Sequence, residues 1–197
     1  MSMKKITLVR HTEINGSWKK RCYGVSDVPL SKTGETAIAP IAKRLAALQP
    51  AYIIHSGLLR TQRLASAIAC EGDWPMVEDR AFQELNFGSW EGRSWTSIFL
   101  EVGHAMARMI TEPDTFAPPG GETVHGVRDR VIRALLQLPR DRETIIVTHG
   151  GPIGAVRGTL QESPAKDWPN LVPEYGATLT LAQADLSKLQ SITRQWS

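Results

Sequence analysis

The sequence predicts an α/β fold, a three-layer α/β/α arrangement in which a mainly parallel sheet carries helices on both faces. Two observations support this prediction. Short runs rich in Ile, Val and Thr lack the alternating pattern of a half-exposed strand, and such continuous runs are typical of strands buried on both faces. Stretches with helical character separate these runs, and alternation of strands and helices indicates a parallel sheet.

Four segments are predicted to form strands. They lie at residues 6–9, 52–55, 144–148 and 178–181. The first three are continuous β-rich runs, and TIIVT at 144–148 is the longest of them. We expect these three to be buried on both faces, as strands of a parallel sheet usually are.

Four helices are predicted between and after these strands. The first is an Ala- and Leu-rich stretch over residues 37–48, with Lys43 and Arg44 in its later turns and Pro50 after its end. The other three are predicted at residues 59–70, 124–138 and 153–160. Pro139 ends the third helix, and the fourth follows Gly151-Pro152.

Residues around 90–121 interrupt the alternation of strands and helices. They hold two tryptophans, two methionines and the turn cluster PPGG at 118–121. We expect a single domain over residues 1–197 with a cap-like insertion in this region. Such an insertion beside the strand ends would cover a pocket, and a surface connection without a function is the alternative.

Composition excludes several classes of protein. Hydrophobic residues make up 42% of the 197 residues, but no segment approaches the roughly 18 apolar residues of a membrane span. Lysines and arginines are scattered despite the net charge of +3, so neither a membrane nor a nucleic acid is an expected partner. Cys22 and Cys70 form no CxxC pair, which predicts neither a disulfide framework nor a zinc site and favours the cytoplasm.

Reactive side chains follow three of the predicted strands. Arg10 and His11 end the first, the second leads towards Arg60, and His149 follows the third. Because ligands bind at the carboxyl ends of parallel strands, we expect these groups to converge. A single histidine at a strand end is more often a structural residue, so the hypothesis depends on the convergence.

The converging residues suit a phosphate better than a metal ion. Two histidines without cysteine ligands and without HExxH-like spacing do not resemble a metal centre. Arginine offers a planar fork of donors to phosphate oxygens, and a neutral imidazole can attack phosphorus. Gly150, just after His149, would let backbone amides at a helix start approach an anion closely.

A proton donor for the leaving group is predicted within FQELNFGSWEG at residues 82–92. This segment places Glu84 and Glu91 among aromatic residues. An apolar setting raises the pKa of a carboxyl group towards the range that a general acid needs. An acid on a surface loop beside core aromatics is an equally good interpretation of Glu84.

Five segments resemble, in order, the motifs of the histidine phosphatase superfamily, the phosphoglycerate mutase-like proteins. LVRHTE at residues 8–13 resembles the family's Arg-His-Gly signature. The other four segments are DVPLS with Gly34, SGLLRT at 56–61, ELNFGSWEG at 84–92, and PGGE at 119–122 followed by VTHGG at 147–151. The resemblance covers residues 6–160, and ordered agreement of five motifs is far more specific than any one of them.

The resemblance implies a role for each candidate residue. His11 would be the nucleophile that becomes phosphorylated, while Arg10, Arg60 and His149 would line the phosphate pocket. Glu84 would protonate the leaving alcohol and then activate water against the phosphohistidine. The family resemblance also implies a phosphoglycerate mutase-like fold and neither a metal ion nor an organic cofactor.

The chain departs from the family pattern at three positions. Thr12 replaces the glycine after the histidine, which puts the local backbone geometry in question. Ser17 replaces an asparagine that contacts phosphate in many relatives, and Asn15 lies nearby. Either Asn15 or Ser17 is a candidate for this phosphate contact. Gly57 stands where the family has a proline, away from the proposed catalytic groups.

The expected activity is hydrolysis of a small phosphomonoester. The interval between the Glu84 and His149 motifs is shorter than in cofactor-dependent phosphoglycerate mutases, which favours a phosphatase. RCYGVSDVPL at 21–30 resembles a pattern common in α-ribazole phosphatase-like sequences and points to α-ribazole 5′-phosphate in cobalamin biosynthesis. A phosphoglycerate mutase or a sugar-phosphate phosphatase is the alternative within the family. A non-catalytic phosphate sensor or scaffold is the alternative outside it, and a homodimer is left open.

Overall fold

The computed structural model describes residues 5–194 and Trp196. In this part of the chain five strands form one mixed sheet: β1 (Ile6–Arg10), β2 (Tyr52–His55), β3 (Met76–Glu78), β4 (Thr144–Thr148) and β5 (Thr178–Leu181). Their order is β3-β2-β4-β1-β5, with β5 antiparallel to β1 and the other pairs parallel. The four predicted strands are confirmed. The sequence reading missed β3, which is a short, exposed edge strand without an apolar run.

Seven α-helices are present in the described part of the chain. They are α1 (Lys32–Ala46), α2 (Leu59–Cys70), α3 (Trp95–Val102), α4 (Arg108–Thr111), α5 (Val124–Gln137), α6 (Gly150–Leu160) and α7 (Gln183–Thr193). The core consists of two main apolar clusters, one on each face of the sheet. Helices α1 and α2 pack on one face, and α5, α6 and α7 pack on the other. The predicted three-layer α/β/α arrangement is therefore confirmed.

Two helices begin earlier than the sequence pattern indicates. Helix α1 begins at Lys32 because the Ser31 hydroxyl caps it, accepting a hydrogen bond of 2.9 Å from the Gly34 amide. Helix α6 begins at Gly150 and contains Pro152 in its first turn, where backbone N–H groups have no partner within the helix. Helix α7 was not predicted; it buries only Leu186 and Leu189, so its apolar pattern is weak.

The position of β4 determines where the reactive residues meet. β4 pairs in parallel with β1 on one side and with β2 on the other. Arg10 is opposite Thr148, and His55 is opposite Val147, so the three strands end nearly level. The residues that follow these strands therefore start from the same edge of the sheet.

The region around 90–121 folds mainly into short helices. It contains α3, a 3-10 helix at Gly103–Ala107 and α4, and it packs around a separate apolar cluster of Cys22, Trp90 and Ile98. Its role as a cap stays a prediction. None of the helices in the described residues has both the length and the apolar character needed to cross a membrane.

Candidate active site

The structure brings Arg10, His11, Arg60 and His149 together at the carboxyl edge of β1, β2 and β4. His11 follows β1 and His149 follows β4, and their ring centroids are 5.2 Å apart in an edge-to-face arrangement. Arg60 lies in the first turn of α2, and its side chain is fully buried. Three segments that are distant in sequence thus form a single cationic pocket.

His11 has the protonation state of a nucleophile. Its Nδ1 lies 2.7 Å from the carbonyl oxygen of Thr12. Because a carbonyl can only accept, Nδ1 carries the proton and Nε2 keeps a free lone pair. Burial lowers the pKa of His11 well below its usual value, and the charges of Arg60 and Arg10 lower the pKa further, although the hydrogen bond to Thr12 opposes them. His11 is therefore neutral near pH 7.

The backbone at Thr12 accommodates a side chain. Among the described non-glycine residues only Gln49, Asp73 and Glu162 have a positive φ, so Thr12 adopts a conformation open to any L-residue. Its carbonyl supplies the hydrogen bond that orients His11. Its hydroxyl is buried without a hydrogen-bond partner in the described part of the chain. A glycine is therefore not required at this position.

His149 orients Arg60 through a hydrogen-bond chain with defined directions. Its Nδ1 accepts from Arg60 Nε at 3.2 Å, so its Nε2 donates to the Ser56 hydroxyl at 2.7 Å. Ser56 in turn donates to the Thr61 hydroxyl at 2.9 Å, and Thr61 donates to the Leu58 carbonyl at 2.7 Å. Burial lowers the pKa of His149 well below its usual value, and the charge of Arg60 adds to this effect. A neutral His149 fits both contacts.

Arg60 is held by a loop as well as by His149. Its Nη1 donates to the carbonyl of Ser26 at 2.7 Å, and its Nη2 donates to the carbonyl of Gly24 at 2.6 Å. With Nε on His149, three of its five N–H groups are used and two remain for an anion. Burial lowers the pKa of Arg60, and the Glu84 carboxylate is the strongest of the charges that oppose this effect.

Glu91 stabilises the loop that holds Arg60. Its carboxylate accepts hydrogen bonds of 3.0–3.1 Å from the backbone amides of Gly24, Val25 and Ser26, and one of 3.1 Å from Phe87. It also accepts from the Ser26 hydroxyl. Of the two acids in residues 82–92, Glu91 accepts from four backbone amides and a hydroxyl, whereas Glu84 accepts from only two amides, so Glu84 is the better candidate for a proton donor.

Arg10 presents an unsatisfied donor to the pocket. Its Nη1 donates to the carbonyl of Pro173 at 2.6 Å, and its guanidinium carbon lies 4.0 Å from the centroid of the Tyr175 ring. Its Nε is buried and has no hydrogen-bond partner among the described residues. An unpaired buried donor costs free energy, which a bound anion would recover. A Cβ at Gly150 would lie 2.7 Å from Val172 Cγ1 and 3.4 Å from this guanidinium, so Gly150 lies directly beside Arg10.

Glu84 lies where α6 begins. One carboxylate oxygen accepts from the Leu85 amide at 3.0 Å, and the other accepts from the Gly151 amide at 3.1 Å. Arg130 of α5 holds the backbone of this segment by donating to the carbonyls of Gln83 and Glu84 at 2.8 and 2.9 Å. Arg130 is therefore the residue that positions Glu84 next to the pocket.

Asn15 and Ser17 hydrogen-bond to each other. The Asn15 side-chain oxygen accepts from the backbone amide of Ser17 at 3.0 Å and from its hydroxyl at 2.9 Å. Both residues are exposed, and neither makes a hydrogen bond to the four residues of the cationic pocket in the described part of the chain. Contact of either residue with phosphate stays a prediction.

Two tyrosines at the pocket were missed by the sequence reading. The Tyr23 and Tyr175 hydroxyls are 3.4 Å apart, and the Tyr175 ring lies 5.6 Å from that of His11. Burial raises the pKa of Tyr23, so its hydroxyl stays protonated near pH 7. Tyr23 lies inside the RCYGVSDVPL segment, whose resemblance to a family pattern could have identified it. Tyr175 lies in a connection without a motif.

The described residues contain no cluster of three or more His, Cys, Asp or Glu side chains that could hold a metal ion. The site instead holds the guanidinium groups of Arg10 and Arg60 and the carboxyl group of Glu84. This set of groups is suited to an anionic ester. The arginines would balance its negative charge, and the glutamate would supply a proton to its ester oxygen.

Comparisons with known proteins agree with this geometry. The model of the histidine phosphatase superfamily (branch 1) matches residues 6–191. The probable phosphoglycerate mutase GpmB of Salmonella paratyphi C is 30% identical over 197 residues, covering 98% of this chain and 88% of that protein. Among solved structures, Bacillus stearothermophilus YhfR has a TM-score of 0.80 at 25% identity, covering 91% of each chain.

Two further solved structures share the fold. A mycobacterial glucosyl-3-phosphoglycerate phosphatase has a TM-score of 0.78 at 25% identity, covering 90% of this chain and 89% of that chain. The α-ribazole phosphatase of Shigella flexneri has a TM-score of 0.78 at 21% identity, covering 90% of each chain. The relatives thus carry the names of enzymes with different substrates.

We expect Glu91→Gln to weaken both the fold and anion binding. A glutamine has a single acceptor oxygen and would turn an NH₂ group towards backbone N–H donors, at a cost of about 2–3 kcal/mol in the free energy of unfolding. Because the same loop holds Arg60, the dissociation constant of inorganic phosphate should also rise. Urea unfolding and calorimetry measure the two effects, with the exposed Glu101→Gln as control. Unchanged phosphate affinity in Glu91→Gln would contradict this role of the loop.

Because His11 and His149 are buried in neutral form, we expect the free energy of unfolding to fall as the pH is lowered. Their folded-state pKa values lie below the unfolded value of about 6.5. The unfolded chain therefore binds more protons below that pH, and each histidine removes up to about 1.4 kcal/mol of stability per pH unit. His11→Asn should show a shallower decline between pH 6.5 and 5 than the wild type in urea unfolding. Parallel declines would show that His11 is not buried in neutral form.

Proposed function

This chain belongs to the histidine phosphatase superfamily, branch 1, and from that membership we propose that it hydrolyses a small phosphomonoester through a phosphohistidine on His11. Neither a metal ion nor a cofactor takes part in this proposal. The observation that supports it most is the neutral His11, with its Nε2 lone pair free, beside the unsatisfied Nε–H of Arg10. Two consecutive residues thus supply a nucleophile and a buried donor that a bound anion could satisfy.

In the first step His11 takes the phosphoryl group. The Nε2 lone pair attacks phosphorus, the bond from phosphorus to the alcohol oxygen breaks, and Glu84 gives its proton to that oxygen. Arg10 and the two remaining N–H groups of Arg60 stabilise the charge on the equatorial oxygens, the dominant effect in phosphoryl transfer. His149 keeps Arg60 in the orientation that this requires.

In the second step water releases the phosphate. The Glu84 carboxylate, now without its proton, accepts a proton from water as the water oxygen attacks phosphorus. The bond from phosphorus to Nε2 breaks and returns His11 to its starting state. The Glu84 carboxyl group thus acts as an acid in the first step and as a base in the second. One residue can do both because the alcohol leaves and the water arrives on the same side of phosphorus.

The substrate is a small phosphorylated metabolite, and several candidates remain. The RCYGVSDVPL segment supports α-ribazole 5′-phosphate and a place in cobalamin biosynthesis. The similarity to GpmB supports a phosphoglycerate mutase or a sugar-phosphate phosphatase as the alternative. A cytoplasmic location, a homodimer and the absence of nucleic-acid and membrane partners remain predictions from the sequence.

A phosphate sensor or scaffold is the second candidate function. It would keep the cationic pocket and bind phosphate without turnover. The complete set of His11, Glu84 and the two arginines favours catalysis, because binding alone requires neither a free Nε2 nor a proton donor. Phosphate binding without turnover over a broad panel of phosphomonoesters would favour the sensor.

We expect His11→Ala to abolish hydrolysis and acid-labile labelling by the phosphate of the substrate. The variant lacks the atom that bonds to phosphorus, so no phosphoenzyme forms. A screen with α-ribazole phosphate, phosphoglycerates and a phosphopeptide measures turnover, and quenching with labelled substrate measures the phosphoenzyme. His104→Ala, at an exposed histidine, is the matched control and should behave as wild type. Full turnover in His11→Ala would exclude the proposed nucleophile.

We expect Glu84→Gln to separate the two steps. Alkyl phosphates need a protonated leaving group, so their turnover should fall by about 10²–10⁴-fold. 4-Nitrophenyl phosphate has a good leaving group and should still phosphorylate His11, giving a stoichiometric burst of nitrophenol followed by slow hydrolysis. Stopped-flow absorbance detects the burst, and Glu71→Gln, at an exposed glutamate, is the control. Equal losses on both substrates without a burst would assign Glu84 a structural role.

A further inference from the structure

An apolar cavity of about 200 Å³ lies beside Glu84 and takes no part in the mechanism above. A cavity of about 150 Å³ can admit benzene, so this one has room for a ring or a short alkyl chain. Its lining carries no charged side chain and includes Leu85, Ile110, Val124, Gly151, Trp168 and Val172. The Trp168 Nε1 donates to the Ser163 carbonyl at 3.0 Å, so this polar atom does not need a ligand.

The wall of the cavity is continuous with the groups that hold Glu84. The amides of Leu85 and Gly151 donate to the Glu84 carboxylate, and both residues line the cavity. A Cβ at Gly151 would lie 2.1 Å from the nearer Glu84 oxygen, so carboxylate and cavity wall are in direct contact. An alcohol that receives a proton from Glu84, as in the proposed reaction, would therefore be released close to this wall.

The lining of the cavity also comes close to the residues around Arg10. Val172 lines the cavity, and its Cγ1 would lie 2.7 Å from a Cβ at Gly150, the residue next to the Arg10 guanidinium. A phosphoryl group held by Arg10 would thus lie near Gly150 and Val172, so the organic part of its ester would be within reach of this lining. Ile110 of α4 also contributes to the cavity, which connects the 90–121 region to this side of the site.

We propose that this cavity binds the organic part of the substrate and that the preferred substrates are monoesters of apolar alcohols, alkyl or aryl, rather than of carboxylate-bearing alcohols. A carboxylate facing these walls would lose its hydration without gaining a partner. This inference rests on the proposed function for the position of the ester oxygen. It goes beyond that function in naming the chemical class of the leaving group.

The test compares the binding of ethylphosphonate and hexylphosphonate by calorimetry. Both carry the same phosphonate group and cannot be hydrolysed, so binding is measured apart from catalysis. Each methylene that enters the cavity should tighten binding about fourfold, and we expect hexylphosphonate to bind at least tenfold more tightly. Equal affinities, or no binding of either compound, would overturn the inference.

The variant Val124→Asp tests whether the preference for hexylphosphonate over ethylphosphonate depends on this cavity. Val124 is the first residue of α5, where a carboxylate is compatible with the helix, so the variant should fold while placing a charge in the apolar wall. The tenfold preference should shrink to less than threefold. Gln183→Asp, at the same position of α7, is the control and should keep the preference. An undiminished preference in Val124→Asp would place the hexyl chain elsewhere and overturn the proposal.

Turnover distinguishes this inference from the function on which it rests. If wild type hydrolyses ethyl and hexyl phosphate through His11 but binds both phosphonates equally, the cavity assignment fails and the phosphatase proposal stands. If hexylphosphonate binds preferentially through Val124 but no monoester is hydrolysed, the cavity assignment stands and the phosphatase proposal fails.

Discussion

The site depends on one fully buried cation, the guanidinium of Arg60. Burial of a charge is costly unless its donors are satisfied, and here two loop carbonyls and the His149 imidazole satisfy three of them. The same contacts determine the tautomer of His149, and the charge of Arg60 helps to keep His11 neutral. Arg60 also depends on Glu91, because the Glu91 carboxylate orders the loop whose carbonyls accept from Arg60.

Glu84 is held by a separate set of contacts. Arg130 of α5 holds its backbone, and the start of α6 holds its carboxylate. The proposed phosphate end therefore depends on α2 and the loop at 24–26, whereas the proposed proton-donor end depends on α5 and α6. Such a division would allow a fold to keep one anion site while the opposite side of the site differs. The named relatives, a mutase and two phosphatases with different substrates, are consistent with such variation.

The fold was largely predictable because its signals are local. The apolar runs of β1, β2 and β4 are buried on both faces, and the helices between them carry apolar faces and caps that are visible in the sequence. The elements that the sequence does not predict are β3, α3, α4 and α7. β3 is a short exposed edge strand, α3 and α4 lie in the 90–121 region that interrupts the alternation of strands and helices, and α7 buries only Leu186 and Leu189. Helix α6 begins at Gly150 rather than at the predicted residue 153, because the first turn of a helix tolerates Pro152.

The sequence by itself determined which chemistry is available: Arg10, His11, Arg60, Glu84 and His149 are all identifiable from their positions in motifs. Only the tertiary structure decided their states. Burial and the charge of Arg60 lower the pKa of His11, and four backbone amides occupy the Glu91 carboxylate, which leaves Glu84 as the proposed proton donor. Tyr175 and the apolar cavity are likewise tertiary features. A residue's protonation and its neighbours depend on packing between segments far apart in the chain, which motifs do not record.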